Sequence, residues 1–343
     1  ATPDDPGAVA DSQGNWWVQD LGFPEGSPGA CRNEVFGGAE VHVTAEQVDS
    51  FVTEFDTTIY PKESEVFSTP VPRDGSNATL TAYYDESGNV VPVPPGNFTG
   101  PGDRIVTLVD NVRDANYVDP TTPDGQTYIA GFFSSTFTGV EDRNIMTIDG
   151  FDWLHRTGAT PPDDEPIPDC PSAGTTARPH LYEGTFAHEY QHLLENDVDP
   201  DEVSWVNEGL SDWAQTLVGY TDPSIPVDAP GADSHLACFA GFAEPRFGGP
   251  ENSLTRWGDQ GGPEILCDYG AAYSFMEYLH GRLDGDATMT ALHREPANGL
   301  DGLNAVVQPR RPGRLGVGAT RSPTATSLLH DWQAAVALDA VLQ

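Results

Sequence analysis

The sequence predicts an α+β fold in two parts, and three observations support this. Short β-branched runs bounded by Gly, Pro and Asp occupy 103–112, 126–133 and 143–151, which is the pattern of strands. From Pro179 onward, apolar residues recur at helical spacing instead. Between the two patterns, 155–180 is rich in Pro and polar residues, which favours a long loop.

We therefore predict a sheet-rich N-terminal subdomain, 1–175, and a mostly helical C-terminal subdomain, 176–343. The exception in the first subdomain is a helix at 44–60, where Thr44 caps the first turn and Gln47 completes a capping box. Four apolar side chains give this helix one apolar stripe: Val48, Phe51, Val52 and Phe55.

Four helices are predicted in the C-terminal subdomain, at 180–196, 199–220, 270–285 and 322–342. The apolar side of the first consists of Phe186, Tyr190, Leu193 and Leu194. In the second we expect Asp199 to be the N-cap, with Pro200 at N1 and Glu202 at N3.

The charge balance of the chain is strongly acidic. Of 343 residues, 53 are Asp or Glu and 16 are Lys or Arg, for a net charge of -37, and Lys62 is the only lysine. Such a surface repels nucleic acid and anionic membranes, so we expect neither as a partner. No run of 18 apolar residues is present, which predicts that no helix spans a membrane. The first residues lack a basic segment followed by an apolar one, so a signal peptide was either never made or has been removed.

Four cysteines stand far apart, without a CxxC pair: Cys31, Cys170, Cys238 and Cys267. An even, scattered set is typical of disulfides in an exported protein. Four buried thiols are the alternative. We predict the pairs Cys238–Cys267 and Cys31–Cys170.

The segment HEYQH, 188–192, carries the strongest functional signal. His188 and His192 are four residues apart and so lie on one face of a helix, where two imidazoles can bind one tetrahedral ion. The next helix offers Glu208 as a third ligand, which leaves the fourth position to water. Asp212, one turn further on, is placed to hold the far ring nitrogen of His188. The alternative is a pair of surface histidines near a structural glutamate.

Glu189 is predicted to act on the water rather than to bind the metal, because it is rotated by about 100° from His188 on the helix. Zinc lowers the pKa of a bound water toward about 7. A carboxylate beside that water can take its proton and pass it to a leaving amine. This is the chemistry of peptide hydrolysis. A purely structural zinc usually has four ligands and many thiolates, which this pattern does not offer.

The segments HEYQHLLE and SWVNEGLSDWA resemble the gluzincin metallopeptidases, the group that contains thermolysin. More narrowly, the chain resembles the secreted bacterial hyicolysin-type and immune-inhibitor-A-like neutral peptidases, most closely at 184–216. The resemblance implies a zincin-like architecture, with a twisted mixed sheet and a helix followed by a mostly helical half. It also implies that the active-site cleft lies between the two parts, with the active-site helix along its floor.

The resemblance implies a role for each residue of the motif. His188, His192 and Glu208 are the expected zinc ligands, and Glu189 is the expected base. Asp212 is expected to orient His188.

A second donor is expected to share the charge of the oxyanion with the metal. Gluzincin aminopeptidases carry a catalytic tyrosine at a place similar to that of Tyr269 and Tyr273, and Tyr269 fits that register better. A position in the core is the alternative for both tyrosines. His235 and His280 are weaker candidates, because a lone histidine is more often a structural group.

Motifs of other hydrolases are absent from the sequence. No GxSxG is present, which argues against a serine hydrolase, and the even cysteine count argues against a cysteine peptidase. The Gly-Ala-Met-Glu-Asn motif, with which aminopeptidases bind a free amino group, is missing as well, so an endopeptidase is favoured. The acidic segments 118–127 and 197–202 are candidate sites for Ca2+, with solvated turns as the alternative.

These observations predict a secreted, extracellular zinc (Zn2+) endopeptidase that is monomeric and acts on protein or peptide substrates. The alternative is a catalytically silent zinc-binding surface or adhesion module of the same fold. The intact Glu189 argues against this alternative, because a binding module has no need of a base.

Overall fold

The structure is a computed structural model of the chain. It describes residues 8–10, 16–18, 32, 43–85, 87–122, 125, 127–163, 177–229, 231–243, 246–258, 262–308 and 323–342. Cys31 and Cys170 lie outside the described residues, and so does the disulfide predicted between them. The chain divides into two compact units.

Both strands and helices are present, which confirms the mixed α+β class. The strands are β1 (Ala8–Ala10), β2 (Trp16–Val18), β3 (Ala82–Tyr84), β4 (Val90–Pro92), β5 (Ile105–Asp110), β6 (Gly131–Phe133) and β7 (Asn144–Asp149). The helices are α1 (Ala45–Glu54), α2 (Tyr60–Val66), α3 (Ala115–Val118), α4 (Ser135–Glu141), α5 (Trp153–Arg156), α6 (Leu181–Val198), α7 (Ser204–Val218), α8 (Ser234–Phe239), α9 (Ile265–Arg282), α10 (Asp286–His293), α11 (Gly299–Val307) and α12 (Ala325–Leu342). None of the helices in the described part of the chain is long and apolar enough to cross a membrane.

The first unit comprises Ala1–Ala45, Val71–Arg156 and Thr160–Ala177. Its largest sheet is mixed, because the central strand β7 pairs in parallel with β5 and antiparallel with β6. All six residues of β7 are buried, as expected of a central strand that is covered on both faces. These three strands lie within the three β-branched runs of the sequence, so the strand predictions are confirmed.

A buried arginine anchors the carboxyl end of β7 in the first unit. Arg32 donates from Nη2 to both carboxylate oxygens of Asp149, at 2.8 and 2.6 Å, and from Nη1 to Asn116 at 3.0 Å. The guanidinium also lies over the Phe151 ring, 4.6 Å from its centroid. A charge that is buried this deeply persists only when it is paired and hydrogen-bonded. Burial raises the pKa of Asp149 to about 6 even though Arg32 opposes that shift.

The second unit comprises Glu46–Pro70, Thr157–Ala159 and Arg178–Gln343. The segment 46–70 therefore groups with the helical part, although we predicted it within the N-terminal subdomain. Here α1 continues through a π-helical turn, Phe55–Ile59, into α2.

Aromatic packing explains why this segment belongs to the second unit. Phe51 and Phe55 both meet the Phe186 ring of α6 edge to face, with ring centroids 5.2 Å apart in each pair. Such aromatic pairs add to the free energy gained by apolar burial. The apolar stripe of the sequence shows that the helix must pack against something, but not which partner it chooses.

The only lysine of the chain closes the carboxyl end of α7. Lys62 Nζ in α2 donates to the carbonyl oxygen of Val218 at 2.5 Å. Gly219 follows with a φ of 97°, a left-handed conformation that glycine adopts without strain. A cation at this end of a helix also complements the helix dipole. The contact thus fastens α2 to the end of α7.

The predicted start of α7 is wrong. The helix begins at Ser204 with Val203 as its N-cap, whereas Asp199 caps the end of α6. The Glu202 carboxylate accepts from the backbone N–H of Val203 at 2.6 Å and of Gly299 at 2.8 Å. This residue is therefore engaged outside the helix rather than in its first turn.

Two contacts hold α8 against α9. The predicted disulfide Cys238–Cys267 is present and joins the two helices. Gly270 of α9 lies against the backbone of α8, where a Cβ atom would be 1.9 Å from the carbonyl oxygen of His235. Only glycine permits this approach, which fixes His235 relative to α9.

Candidate metal centre

The predicted ligands lie on α6 and α7, within the second unit. His188 and His192 project from one face of α6, and Glu208 and Asp212 project from one face of α7, because residues four apart share a face. Apolar side chains that are almost fully buried surround these faces and hold the two helices in place: Phe186, Tyr190, Leu193, Leu194, Trp205, Leu210 and Trp213.

Three donor atoms converge between the two helices. The Nε2 atoms of His188 and His192 are 3.0 Å apart. Glu208 Oε2 lies 3.2 Å from the first and 3.1 Å from the second. Two tetrahedral ligands of zinc at about 2.05 Å are about 3.3 Å apart. The observed spacing therefore fits a zinc ion after a small outward movement of the side chains.

Hydrogen bonds on the far side of each ring decide which nitrogen faces the other ligands. His188 Nδ1 donates to Asp212 Oδ1 at 2.8 Å, and His192 Nδ1 donates to Ser211 Oγ at 3.0 Å. Ser211 is the acceptor in the second bond, because it donates its own hydrogen to Gln191 Oε1 at 2.5 Å. A neutral ring that carries its proton on Nδ1 presents a lone pair at Nε2. Two such lone pairs and a carboxylate oxygen thus face one another, an arrangement that needs a cation or protons between them.

In the absence of a metal ion, protons take this place. Burial lowers the pKa of His188, but its hydrogen bonds to Asp212 and Glu208 outweigh burial and hold the pKa well above its ordinary value. The pKa of His192 is also raised, because the Glu208 charge outweighs burial. Burial raises the pKa of Glu208, and the two histidines more than reverse that effect. A metal ion must displace these protons in order to bind.

Asp212 holds two histidines rather than one. Its Oδ1 accepts from His188, and its Oδ2 accepts from His235 Nδ1 at 2.9 Å. Burial raises the pKa of Asp212, but the charge of His235 and the bond from His188 bring it down to about 2. Against burial, the Asp212 charge raises the pKa of His235 to about 9. His235 is therefore an imidazolium at neutral pH.

Tyr269 stands beside these histidines. α9 begins at Ile265, earlier than predicted, so Tyr269 lies inside the helix. Its ring centroid is 4.9 Å from that of His235 and 6.2 Å from that of His188. Trp257 packs against it edge to face at 4.9 Å. Burial and the nearby carboxylates raise the pKa of Tyr269, so its hydroxyl keeps its proton and can donate a hydrogen bond.

The second tyrosine candidate lies elsewhere. Tyr273 is 1% exposed, and its hydroxyl shares a hydrogen bond of 2.8 Å with Thr216 Oγ1. The structure thus places it in the core of the second unit. His280, the weaker candidate of the sequence, pairs with Asp286 at 2.9 Å.

Glu189 lies on α6 between the two histidines and is 8% exposed. Burial lowers the pKa of His188, and the hydrogen bonds to Asp212 and Glu208 raise it. The negative charge of Glu189 also raises this pKa, by a smaller amount. The carboxylate is therefore within electrostatic reach of both histidines. The structure brings together six of the predicted site residues: His188, Glu189, His192, Glu208, Asp212 and Tyr269.

Two residues of the centre were missed by sequence reasoning. Ser211 and Gln191 hold His192, as described above. The signal for Ser211 was present, because it stands three residues after Glu208 and so shares its helix face. Gln191 offered no signal, because its contact crosses between helices.

No second cluster of the same kind is found among the described residues. His188, His192 and Glu208 form the one group of three His, Cys, Asp or Glu side chains there whose ligand atoms lie within 4.8 Å of one another. The acidic segments 118–127 and 197–202 do not form such a group in the part of the chain that the structure describes.

Comparison with known proteins identifies no family, because no family model matches the chain and no curated protein matches it.

Proposed function

We propose that this protein is a zinc-dependent endopeptidase of zincin-like fold, secreted and active on protein or peptide substrates. One observation supports the proposal most directly. The lone pairs of His188 Nε2, His192 Nε2 and Glu208 Oε2 face one another, and Glu189 lies on the same helix between the two histidines. This set has the nitrogen and oxygen donors of a catalytic zinc site, which holds three protein ligands and leaves one position for water.

His188, His192 and Glu208 would hold the ion. When bound, zinc supplies Lewis acidity and lowers the pKa of a water molecule toward about 7. Asp212 and Ser211 keep the two rings oriented with Nε2 toward that position, since each accepts the proton on Nδ1.

Glu189 supplies the base in this proposal. Its carboxylate takes a proton from the attacking water and delivers it to the nitrogen of the leaving amine. Because it lies on the same helix as the two histidines, one rigid element positions both the ligands and the base.

His235 and Tyr269 supply the donors for the developing oxyanion. Tyr269 keeps its phenolic proton, and His235 carries a positive charge beside it. Donors of this kind act on the carbonyl oxygen as its charge grows in the transition state. His235 lies on α8 and Tyr269 on α9, and the disulfide that joins these two helices keeps the two side chains next to each other.

The proposal is tested with casein, with and without a chelator, between about pH 6 and 9. We expect cleavage at internal peptide bonds that stops with chelator and returns with zinc. Glu189→Gln is the matched control, because it should bind zinc without cutting. A wild-type protein that binds zinc but leaves casein and a peptide library intact would instead support the binding module. Release of terminal residues alone would make the enzyme an exopeptidase.

A further inference from the structure

A chain of buried hydrogen bonds leads from His192 away from the metal centre. Ser211 accepts from His192 Nδ1 at 3.0 Å and donates to Gln191 Oε1 at 2.5 Å. Gln191 Nε2 then donates to Glu195 Oε2 at 3.0 Å. The carboxylate of Glu195 is thus connected to His192 through two neutral side chains.

The chain continues beyond Glu195 to α10. His293 Nδ1 donates to the same oxygen, Glu195 Oε2, at 2.5 Å. On its other side, His293 Nε2 meets Ser68 Oγ at 3.0 Å. Five hydrogen bonds in series therefore connect the ligand His192 with Ser68.

The direction of each bond near the ligand is fixed by its neighbours. Glu195 is an acceptor for both of its partners, so Gln191 must turn its amide NH2 group toward Glu195 and its oxygen toward Ser211. The Ser211 hydroxyl has two acceptors within reach, Gln191 Oε1 at 2.5 Å and the Asn207 carbonyl at 3.0 Å. Its hydrogen takes the shorter bond, and a lone pair is left for His192. A flipped Gln191 amide would break two bonds at once.

This chain lies in a dry environment. Gln191, Ser211 and His293 are 0% exposed and Glu195 is 1% exposed. Polar groups that are buried this completely interact strongly when they are satisfied, and they destabilise the fold when a partner is lost. Both bonds to Glu195 fall on Oε2, whereas its Oε1 is buried without a hydrogen-bond partner in the described part of the chain. Loss of either bond at Oε2 should therefore be felt along the chain.

We propose that Glu195 and His293 are positioning residues of the metal centre, acting on the ligand His192 through Gln191 and Ser211. The inference rests on the proposed metal site and extends it. His188 receives its orientation directly from the carboxylate of Asp212, whereas His192 receives it from a serine whose direction is set by a remote carboxylate. The two ligand histidines are thus held by two separate buried acids.

A purely structural role is the competing account. In that account the Glu195–His293 pair only fastens α10 to α6, and its loss lowers stability without affecting the metal. The two accounts differ in the affinity for zinc, which can be measured without any catalytic assay.

The experiment is a double-mutant cycle on the full-length protein, with Ser211→Ala, Glu195→Gln and both together. Zinc dissociation constants are measured by competition with a chromophoric chelator, and urea unfolding is followed separately. We expect Ser211→Ala to weaken zinc binding by about 10 to 100-fold, the usual effect of losing a group that orients a ligand. Glu195→Gln should weaken it by about 10-fold, and the double variant should be no weaker than Ser211→Ala within a factor of about 2. Non-additivity is expected because each change interrupts the same chain.

Thr290→Val is the matched control. Thr290 also lies in α10, and its hydroxyl fastens that helix to the Val66 carbonyl with a bond of 2.6 Å, but it is not part of the chain. It should lower stability and leave the zinc dissociation constant unchanged. If Glu195→Gln behaves in the same way, or if the two effects on zinc simply add, the inference is overturned.

A second variant covers the case in which Glu195→Gln does not fold. His293→Phe keeps a ring beside Phe67, whose centroid lies 5.3 Å from that of His293, and removes both hydrogen bonds. It should weaken zinc binding and alter the visible absorption spectrum of the cobalt-substituted protein, and an unchanged affinity and spectrum would overturn the inference. A wild type that binds zinc but cuts no peptide refutes only the proposed enzyme, whereas a wild type that binds no zinc refutes the metal site together with this inference.

Discussion

Gly270 in α9 lies so close to His235 in α8 that a Cβ atom at Gly270 would be 1.9 Å from the His235 carbonyl oxygen. This approach places the His235 ring beside Asp212 and Tyr269. We predict that Gly270→Ala pushes α8 away from α9 and destabilises the fold by about 1–3 kcal/mol, the usual effect of overpacking. Activity should fall while all three zinc ligands remain in place.

Urea unfolding, zinc titration and peptide hydrolysis measure these effects. Gly281→Ala is the control, because Gly281 lies in the same helix with nothing within 4 Å of an added Cβ. Alanine should be neutral or favourable there. If Gly270→Ala and Gly281→Ala had the same stability and the same activity, the close contact between α8 and α9 would contribute to neither.

Glu189→Gln should keep zinc and lose activity. The amide preserves the shape of the side chain but cannot take a proton, so we expect kcat to fall by about 10²-fold or more. His188→Ala and Glu208→Ala should instead lose the metal itself. Atomic absorption and a peptide assay separate the two classes. Full activity in Glu189→Gln would rule out this residue as the base.

Asp212→Ala should weaken zinc binding by about 10 to 100-fold, because His188 loses the acceptor that orients it. The same change should lower the pKa of His235 from about 9, because the Asp212 charge is what raises it against burial. Zinc titration and an NMR pH titration of the His235 ring measure both effects. Asp286→Ala removes the partner of His280 and is the control, for which neither quantity should change. An unaltered dissociation constant in Asp212→Ala would remove this residue from the site.

The metal-free and zinc-loaded proteins should respond to pH in opposite ways. Without metal, the pKa values of His188 and His192 are raised above the ordinary value of about 6.5. Their contribution to stability is therefore complete below about pH 6.5 and is lost as the pH rises through the folded-state values. Zinc binds only the unprotonated rings, so the loaded protein should gain stability as the pH rises through about 6.5.

Urea unfolding at several pH values, with zinc or with chelator, tests this difference. Calorimetry of zinc binding in buffers of different ionisation enthalpy should also detect released protons near neutral pH. If the stability of the two forms changed with pH in the same way, and zinc binding released no protons, His188 and His192 would not be the zinc ligands.

Tyr269→Phe should lower kcat by about 10²-fold, the usual effect of losing one donor to an oxyanion. Tyr273→Phe is its internal control, because the Tyr273 hydroxyl is engaged with Thr216 in the core. That variant should lose some stability and keep its turnover number. A steady-state assay of both variants decides between the tyrosines, and a larger loss of kcat in Tyr273→Phe would reverse the assignment.

Local geometry explains which parts of the site were predictable from the sequence. The spacing of His188, His192, Glu208 and Asp212 is a helix repeat, and a helix repeat determines which side chains share a face. His235 was judged a weaker candidate because a lone histidine is more often a structural group. Its place in the site depends on the packing of Gly270 against the backbone of α8. No periodic pattern in the sequence encodes such a contact between helices.

The same distinction holds for the fold. Strands β5 and β7 were predictable because each is a compact β-branched run, and β6 because its two phenylalanines end a short run of strand-forming residues. The helix α1 was predicted, but its apolar stripe is covered only in part, because Val48 and Val52 remain 39% and 51% exposed while Phe51 is buried. Which of these side chains is buried depends on how α6 packs against α1, and the sequence of α1 alone does not determine that packing. Asp199 failed as a cap for a similar reason, because it is already used at the end of α6.

Lys62 makes the protein unusually simple to label. It provides the only side-chain amine of the chain, and that amine is held by the last carbonyl of the helix that carries Glu208 and Asp212. An amine-directed fluorophore or crosslinker therefore reacts with one side chain, without any need to mutate competing lysines. Because the Nζ atom must leave the Val218 carbonyl and lose its proton before it is acylated, the rate of labelling reports how often the Lys62 side chain is released from the end of α7.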